Sequence, residues 1–159
     1  MNEDFRIFLA TIWGEAAGSS TGAQRAIASV IMNRVGVREW AHLHTPRAVI
    51  EGSGFDAFRF QNHPYRNAAA AFAADAGNLP GSLLALEDAV RAIYERLEPT
   101  VTPAVLYFSP RAQAAFHVQD PAHYRLVPAW NWSRIEEVQP PGILPTDDFR
   151  FFKYRAAQA

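Results

Sequence analysis

Cysteine is absent from the 159 residues. That excludes a disulfide framework and thiolate chemistry but leaves the compartment open, since a reducing cytosol and an extracytoplasmic site both tolerate such a chain. An excess of charge of either sign is also missing: 15 Lys and Arg face 16 Asp and Glu, for a formal net charge of −1. No global field therefore draws in nucleic acid or acidic lipid. No apolar run approaches the roughly 18 residues that suggest a membrane span, so membrane insertion is not expected. The opening MNEDFRIFLATIW has two acids before its first base, no long apolar core and no small-residue cleavage site, and does not read as a signal peptide. A Ser nucleophile elbow, a phosphate loop and a dinucleotide fingerprint are lacking as well. What remains is a chain of the size of one ordinary domain, 49% hydrophobic and so rich enough to bury a core. A single domain over 1–159 is expected.

Phe5, Phe8, Leu9, Ile12 and Trp13 recur at helical spacing, with Asn2 or Asp4 to cap them, which predicts a first helix ending at about Trp13. Gly14, Gly18 and the Ser19-Ser20-Thr21 cluster break that pattern. A second stripe of Ile27, Val30, Ile31, Arg34 and Val35 follows, capped by Ser20 or Thr21. Glu15 is thus expected in a turn between two helices. Thr45-Pro46 opens a short helix through Ile50, which Gly52-Ser53-Gly54 stops. The segment from Phe55 to Pro64 is expected as a loop forming a groove wall, because it gathers Phe55, Phe58, Phe60, Gln61, Asn62 and His63. Asn67 to Ala76 and Ser82 to Leu97 read as helices joined by a turn at Asn78-Leu79-Pro80-Gly81.

Beyond Pro99 the texture changes. Ala104 to Phe108 is a short apolar run, Pro110 to Pro145 is rich in Pro, His and Trp, and Phe149 to Tyr154 is densely aromatic. Two or three short strands or extended segments are expected there. The alternation of aromatic and basic residues from Phe149 to Arg155 is read as an edge strand with one buried face, in preference to a stacking platform for single-stranded nucleic acid.

Among the acids, Glu15 has the most suggestive surroundings. It lies between the apolar Ile12-Trp13 pair and Ala16-Ala17-Gly18, where partial desolvation favours the protonated carboxyl that a general acid needs. Phe55, Phe58, Gln61, Asn62 and Tyr107 supply aromatic faces and hydrogen-bonding groups of the kinds that line binding grooves. Asn33 and Arg34 read as braces for the end of the second helix. His42 and His44, with His117 and His123 distant, lack metal-ligand spacing, so neither metal nor other cofactor is expected.

The run Ile12-Trp13-Gly14-Glu15-Ala16-Ala17-Gly18, followed by Gln24, an apolar stretch from Ala26 to Met32 and Asn33-Arg34-Val35, resembles the opening of the cell-wall hydrolase family that includes the spore-cortex-lytic enzymes. In that family a Gly-Glu-Ala-x-Gly turn carries the catalytic glutamate ahead of a helix ending in Asn-Arg-Val. Val49-Ile50 with Gly54 to Phe58 resembles its second block, Ala104 to Pro110 its Gly-Ala-x-Tyr-Tyr/Phe-x-Pro block, and Phe149 to Tyr154 its closing strand. The resemblance implies an α+β, mostly helical, lysozyme-like domain with a small antiparallel sheet beside a substrate groove. It implies Glu15 as catalytic acid and Phe55, Asp56, Gln61 and Tyr107 as substrate-binding residues. The implied activity is glycosidic cleavage of peptidoglycan between MurNAc and GlcNAc, by a one-acid lytic transglycosylase or a muramidase.

Three positions depart from the pattern. Ser19 stands where the family often has a second glutamate, and Asp56 stands where it usually has Ser or Thr and so adds a carboxylate to the groove. The segment from Ala112 to Pro145 is long and rich in Pro, Trp and His, so that substrate details or a partner surface are expected to differ from the family's. A cell-wall enzyme lacking a signal peptide would act in the periplasm or on the wall after export or release. A secreted antibacterial effector held in check by an immunity protein, with its delivery machinery, and a phage lysin both fit. A non-catalytic glycan-binding or phage-structural protein is the rival from another class.

Overall fold

In the structure, a computed structural model, residues 1–74 and 76–156 are described. The first helix, α1 (Glu3–Ala16), begins where the Asn2 side chain accepts the Phe5 N–H at 2.8 Å, with Glu3 and Asp4 in its first turn facing the positive end of the dipole. It buries Phe5, Phe8, Leu9 and Ile12. Glu15 therefore lies in the last turn of α1, not in the turn that follows. Gly14 does not end the helix, because its missing side chain is needed elsewhere. A Cβ there would stand 2.6 Å from the Ala57 Cβ and 2.9 Å from Asn62 Oδ1, so the glycine lets neighbouring segments close on α1.

Helix α2 (Thr21–Arg34) has ten buried residues on all sides and forms the central rod of the core. Its cap, Ser20, accepts the Ala23 N–H at 3.1 Å. Asp147 in turn accepts from both the Ser20 hydroxyl and the Ser20 N–H, which ties the start of α2 to the end of the chain. Helix α3 (Pro46–Gly52) is capped by Thr45 as its sequence predicts.

The expected loop from Phe55 to Pro64 is instead a short helix, α4 (Asp56–Phe60), running through Gln61 and Asn62 into α5 (His63–Ala73). Asn62 caps α5 by accepting the Tyr65 N–H, and burial of Tyr65, Ala68 and Phe72 holds α5 against α1. The predicted 67–76 helix thus starts four residues early; Asp75 within it lies outside the described residues. Helix α6 (Gly81–Tyr94) packs Leu83, Leu86, Val90 and Ile93 onto α2.

Three strands form one antiparallel sheet in the order β1-β3-β2, with β1 Leu106–Phe108, β2 Ile135–Val138 and β3 Arg150–Tyr154. The predicted edge strand is therefore the central one. Tyr107, Phe151 and Val138 are aligned across the sheet and pack against the helical core. Leu106 and Phe152 face the other way, where Phe108, Ile135, Trp130 and Trp132 make a second, smaller cluster. Between β1 and β2 the chain forms a further helix, α7 (Pro110–Gln119), where extended structure was expected. Ser109-Pro110 starts it in the ordinary way, the serine accepting the Ala112 N–H and the proline occupying the first turn. Among the described residues the molecule is mixed helix and sheet, mostly helical.

Candidate active-site cleft

A cleft of about 1000 Å³ runs between the helical half and the sheet. Glu15 projects into it from the end of α1, and Phe55, Asp56 and Ala57 meet it from the start of α4. Phe55, the residue before α4, has no side-chain acceptor with which to cap that helix. Glu15 supplies one from outside: the Ala57 N–H donates to its Oε1 at 3.1 Å. This bond is possible because Gly14 lets α4 approach to near contact.

Burial is the main influence on the Glu15 carboxyl and pushes its pKa up from the usual carboxylate value. The Ala57 N–H opposes the rise, the charge of Asp56 adds to it, and Tyr107 and Arg34 oppose it. Asp56 is exposed on the cleft rim, and its carboxyl is also raised, by desolvation, against the pull of Arg59. The cleft therefore gathers two carboxyls, and the charge of Asp56 discourages ionisation of Glu15. A raised pKa lets such a group keep its proton to higher pH than an ordinary surface glutamate does, and hand it to an oxygen bound beside it.

The floor is held by Arg34, whose guanidinium is buried at the end of α2. Its Nε donates to the Val105 carbonyl at 2.7 Å and its Nη1 to the Ser53 carbonyl and hydroxyl at 2.8 and 3.0 Å. The guanidinium carbon lies 4.7 Å from the Trp40 ring centre and 4.9 Å from that of Phe55. Asn33 donates to the carbonyls of Thr102 and Ala104. The Asn-Arg pair thus braces the approach to β1 rather than the end of its own helix. Tyr107, set on β1, stacks on Phe151 with ring centres 5.8 Å apart and lies 6.3 Å from Phe55. Burial and the neighbouring Glu15 charge keep its phenol neutral, well above its ordinary pKa.

Of the residues singled out in the sequence, Glu15, Phe55, Asp56 and Tyr107 come together in this cleft. Gln61 does not. It ends α4 in a left-handed conformation, φ 46°, exposed and outside the cleft lining, with its carbonyl accepting from Arg66. The amide in the lining is the next one, Asn62, and it is already committed, donating to the Gly14 carbonyl while capping α5. Phe58 packs edge-on against Tyr65, and Phe60 is exposed. Missed in the sequence is the opposite wall, where Gln113 and Phe116 of α7 and Trp130 and Asn131 before β2 line the same cleft. Its signal is the length and the Pro, Trp and His content of the 112–145 segment, within which none of these four residues is singled out by the sequence. Among the described residues, no three His, Asp or Glu side chains gather as a metal-ligand set. No family model, curated protein or solved structure matches the chain.

Proposed function

We propose that this chain cleaves the glycan strands of peptidoglycan at the MurNAc–GlcNAc bond on a lysozyme-like scaffold, with Glu15 as the acid. The observation that carries this reading is a carboxyl with a raised pKa, fixed by a backbone N–H, at the floor of a cleft large enough for several sugar rings. Cleavage begins as the Glu15 proton passes to the glycosidic oxygen and the bond to the anomeric carbon breaks, leaving positive charge on the sugar. In a lytic transglycosylase the muramoyl sugar's own hydroxyl then attacks that carbon, and Glu15 takes back the hydroxyl proton. In a muramidase a water does so. The one-acid route is preferred because it needs nothing from Asp56, which has a role only in the second route. Tyr107 meets the bound ring, and the buried Phe55 supports Tyr107.

Such an enzyme acts in the periplasm or on the cell wall, and an antibacterial effector with an immunity protein or a phage lysin are the settings that suit it. A second reading rests on a specific observation: Glu15 serves as the side-chain cap of α4 through Ala57, a purely structural task compatible with a non-catalytic glycan-binding protein. Glu15→Gln separates the two, because the amide keeps the Oε1 acceptor and loses the acidic proton. Mass spectrometry of purified peptidoglycan digested by parent and variant is the test. An enzyme gives anhydro or reducing muropeptides with the parent and almost none with the variant. Equal digestion by both would remove Glu15 from the chemistry.

A further inference from the structure

We infer that the far wall of the cleft, made by Gln113 and Phe116 of α7 with Trp130 and Asn131, is a second carbohydrate subsite. It would hold an N-acetylated pyranose ring of the same strand that Glu15 acts on; the inference rests on the glycan reading of the cleft. Four features of that wall carry it.

The first is an aromatic platform with a free polar edge. Trp130 is seated on Phe108 and Phe152, with ring centres 5.7 Å away in both cases, and lines the cleft. Its indole N–H has no acceptor among the described residues. Since no buried side-chain nitrogen or oxygen there lacks a partner, that N–H opens to solvent. Its neighbour Trp132 differs, donating to the Pro128 carbonyl at 3.0 Å. One indole closes the 128–132 turn and the other is presented by it.

The second feature is the pair of amides. Gln113 uses its nitrogen on the Arg125 carbonyl, which leaves its oxygen as an acceptor beside the cleft. Asn131 accepts from the Ser133 hydroxyl, which leaves its amide N–H groups as donors. One acceptor, one amide donor and one indole donor around an aromatic surface match the hydroxyls and N-acetyl group around an apolar sugar face.

The third is Phe116, 39% exposed on a helix that buries no residue. Its ring stacks on Tyr124 at 5.2 Å and also lines the cleft, giving a second apolar surface that folding leaves open. The fourth is capacity. A volume of about 1000 Å³, at the upper end of the roughly 300–1,000 Å³ range of ligand pockets, leaves room beyond the ring at Glu15 for a further ring against a wall of its own.

The test uses the full chain carrying Glu15→Gln, so that ligand is bound and not consumed, and a β-1,4-linked N-acetylglucosamine hexamer as probe. Titration calorimetry is expected to give hexamer binding that Trp130→Ala weakens about tenfold or more, the effect of losing one stacked face and one hydrogen bond. Trp130→Phe should recover part of it. Phe116→Ala should weaken binding without disturbing the fold, because it lies on a helix with nothing buried, and Gln113→Ala should weaken it while also releasing the Arg125 carbonyl. The Trp130 indole N–H resonance should shift on hexamer addition, a readout that needs no second substitution. Hexamer binding that is unchanged in Phe116→Ala and Gln113→Ala, with an unmoved Trp130 resonance, would overturn the subsite while leaving the inner cleft intact. If the Glu15→Gln chain bound no hexamer at all, the glycan reading itself would fall.

Discussion

Glu15 enters the cleft from a helix with seven buried residues, whereas Phe116 enters it from a helix with none. The inner wall is pinned from several sides: Gly14 admits α4 to near contact, Ala57 holds the Glu15 carboxyl, and Arg34 clamps Val105 and Ser53 while lying between two aromatic rings. The outer wall hangs on polar stitches. Asp148 accepts from the Ser109 hydroxyl and the Arg111 N–H, Gln113 reaches Arg125, and His117 donates to the Tyr124 carbonyl. On the proposed function Glu15 transfers a proton and must be held within a fraction of an ångström, and it sits on the helix with the more buried residues of the two. The proposed subsite would need only to accept sugar faces, for which a segment of low local stability suffices.

The sharpest way to break this comparison is to exchange effects between the walls. Glu15→Gln should lower the cleavage rate on the order of 10²- to 10⁴-fold while leaving hexamer affinity close to the parent, whereas Trp130→Ala should act mainly on KM. Steady-state kinetics on soluble glycan strands reads both, and a kcat collapse in Trp130→Ala with little effect in Glu15→Gln would reverse the assignment of roles.

Next in size is Gly14→Ala. The added methyl meets the Ala57 Cβ and Asn62, so the variant should lose roughly 1–3 kcal/mol, seen as a lower denaturation midpoint, together with activity. A neutral result would mean that α4 is free to retreat.

The pH dependence sharpens the inner wall further. Burial raises the Glu15 pKa in the folded state above its unfolded value, so between the two values the folded chain holds the extra proton. Its stability contribution is present at low pH and is lost as pH rises through the folded pKa. Cleavage should fall over the same range as the acid ionises. The Glu15→Gln chain should be more stable than the parent above that range and should lose this component of the pH dependence. Thermal melts from pH 4 to 8 check the sign, and a parent that gains stability from this group as pH rises contradicts it.

Asp56→Asn should weaken cleavage only modestly and leave the anhydro product unchanged. A loss as deep as that of Glu15→Gln, with reducing ends in the parent's products, would instead make Asp56 the partner of a two-carboxylate hydrolase. Smallest is the stability effect of Phe116→Ala, within about ±0.5 kcal/mol as for other exposed positions. A larger loss by chemical denaturation would show the outer wall to be tied down more firmly than its burial indicates.

Where the determinants are local, the sequence could be read directly. The caps at Asn2, Ser20 and Thr45 and the stripes of α1 and α2 need only neighbours a few residues away. Glu15, Phe55, Asp56 and Tyr107 were picked out on residue type and a family resemblance, and the cleft does gather them. What escaped depends on distant partners. Gly14 read as a helix breaker because its reason for being small, the approach of Ala57 and Asn62, lies more than forty residues away. Gln61 read as a groove amide because a helix of five residues has too little periodicity to be told from a loop. The centrality of β3 is set by which strands flank it, and α7, with no buried stripe, has no apolar period to find.

The order of strands in the sheet also governs when it can exist. The central strand is encoded after both of its neighbours, so Leu106–Phe108 and Ile135–Val138 have nothing to pair with until Arg150–Tyr154 is present. Loop closure over such separations is slow compared with helix formation. Pulsed hydrogen exchange during refolding is therefore expected to protect the β1 and β2 amides in a single late phase, after those of α1 and α2. Until then Trp130 has no Phe152 to lie against, so the outer wall of the cleft is expected to take shape only with the sheet.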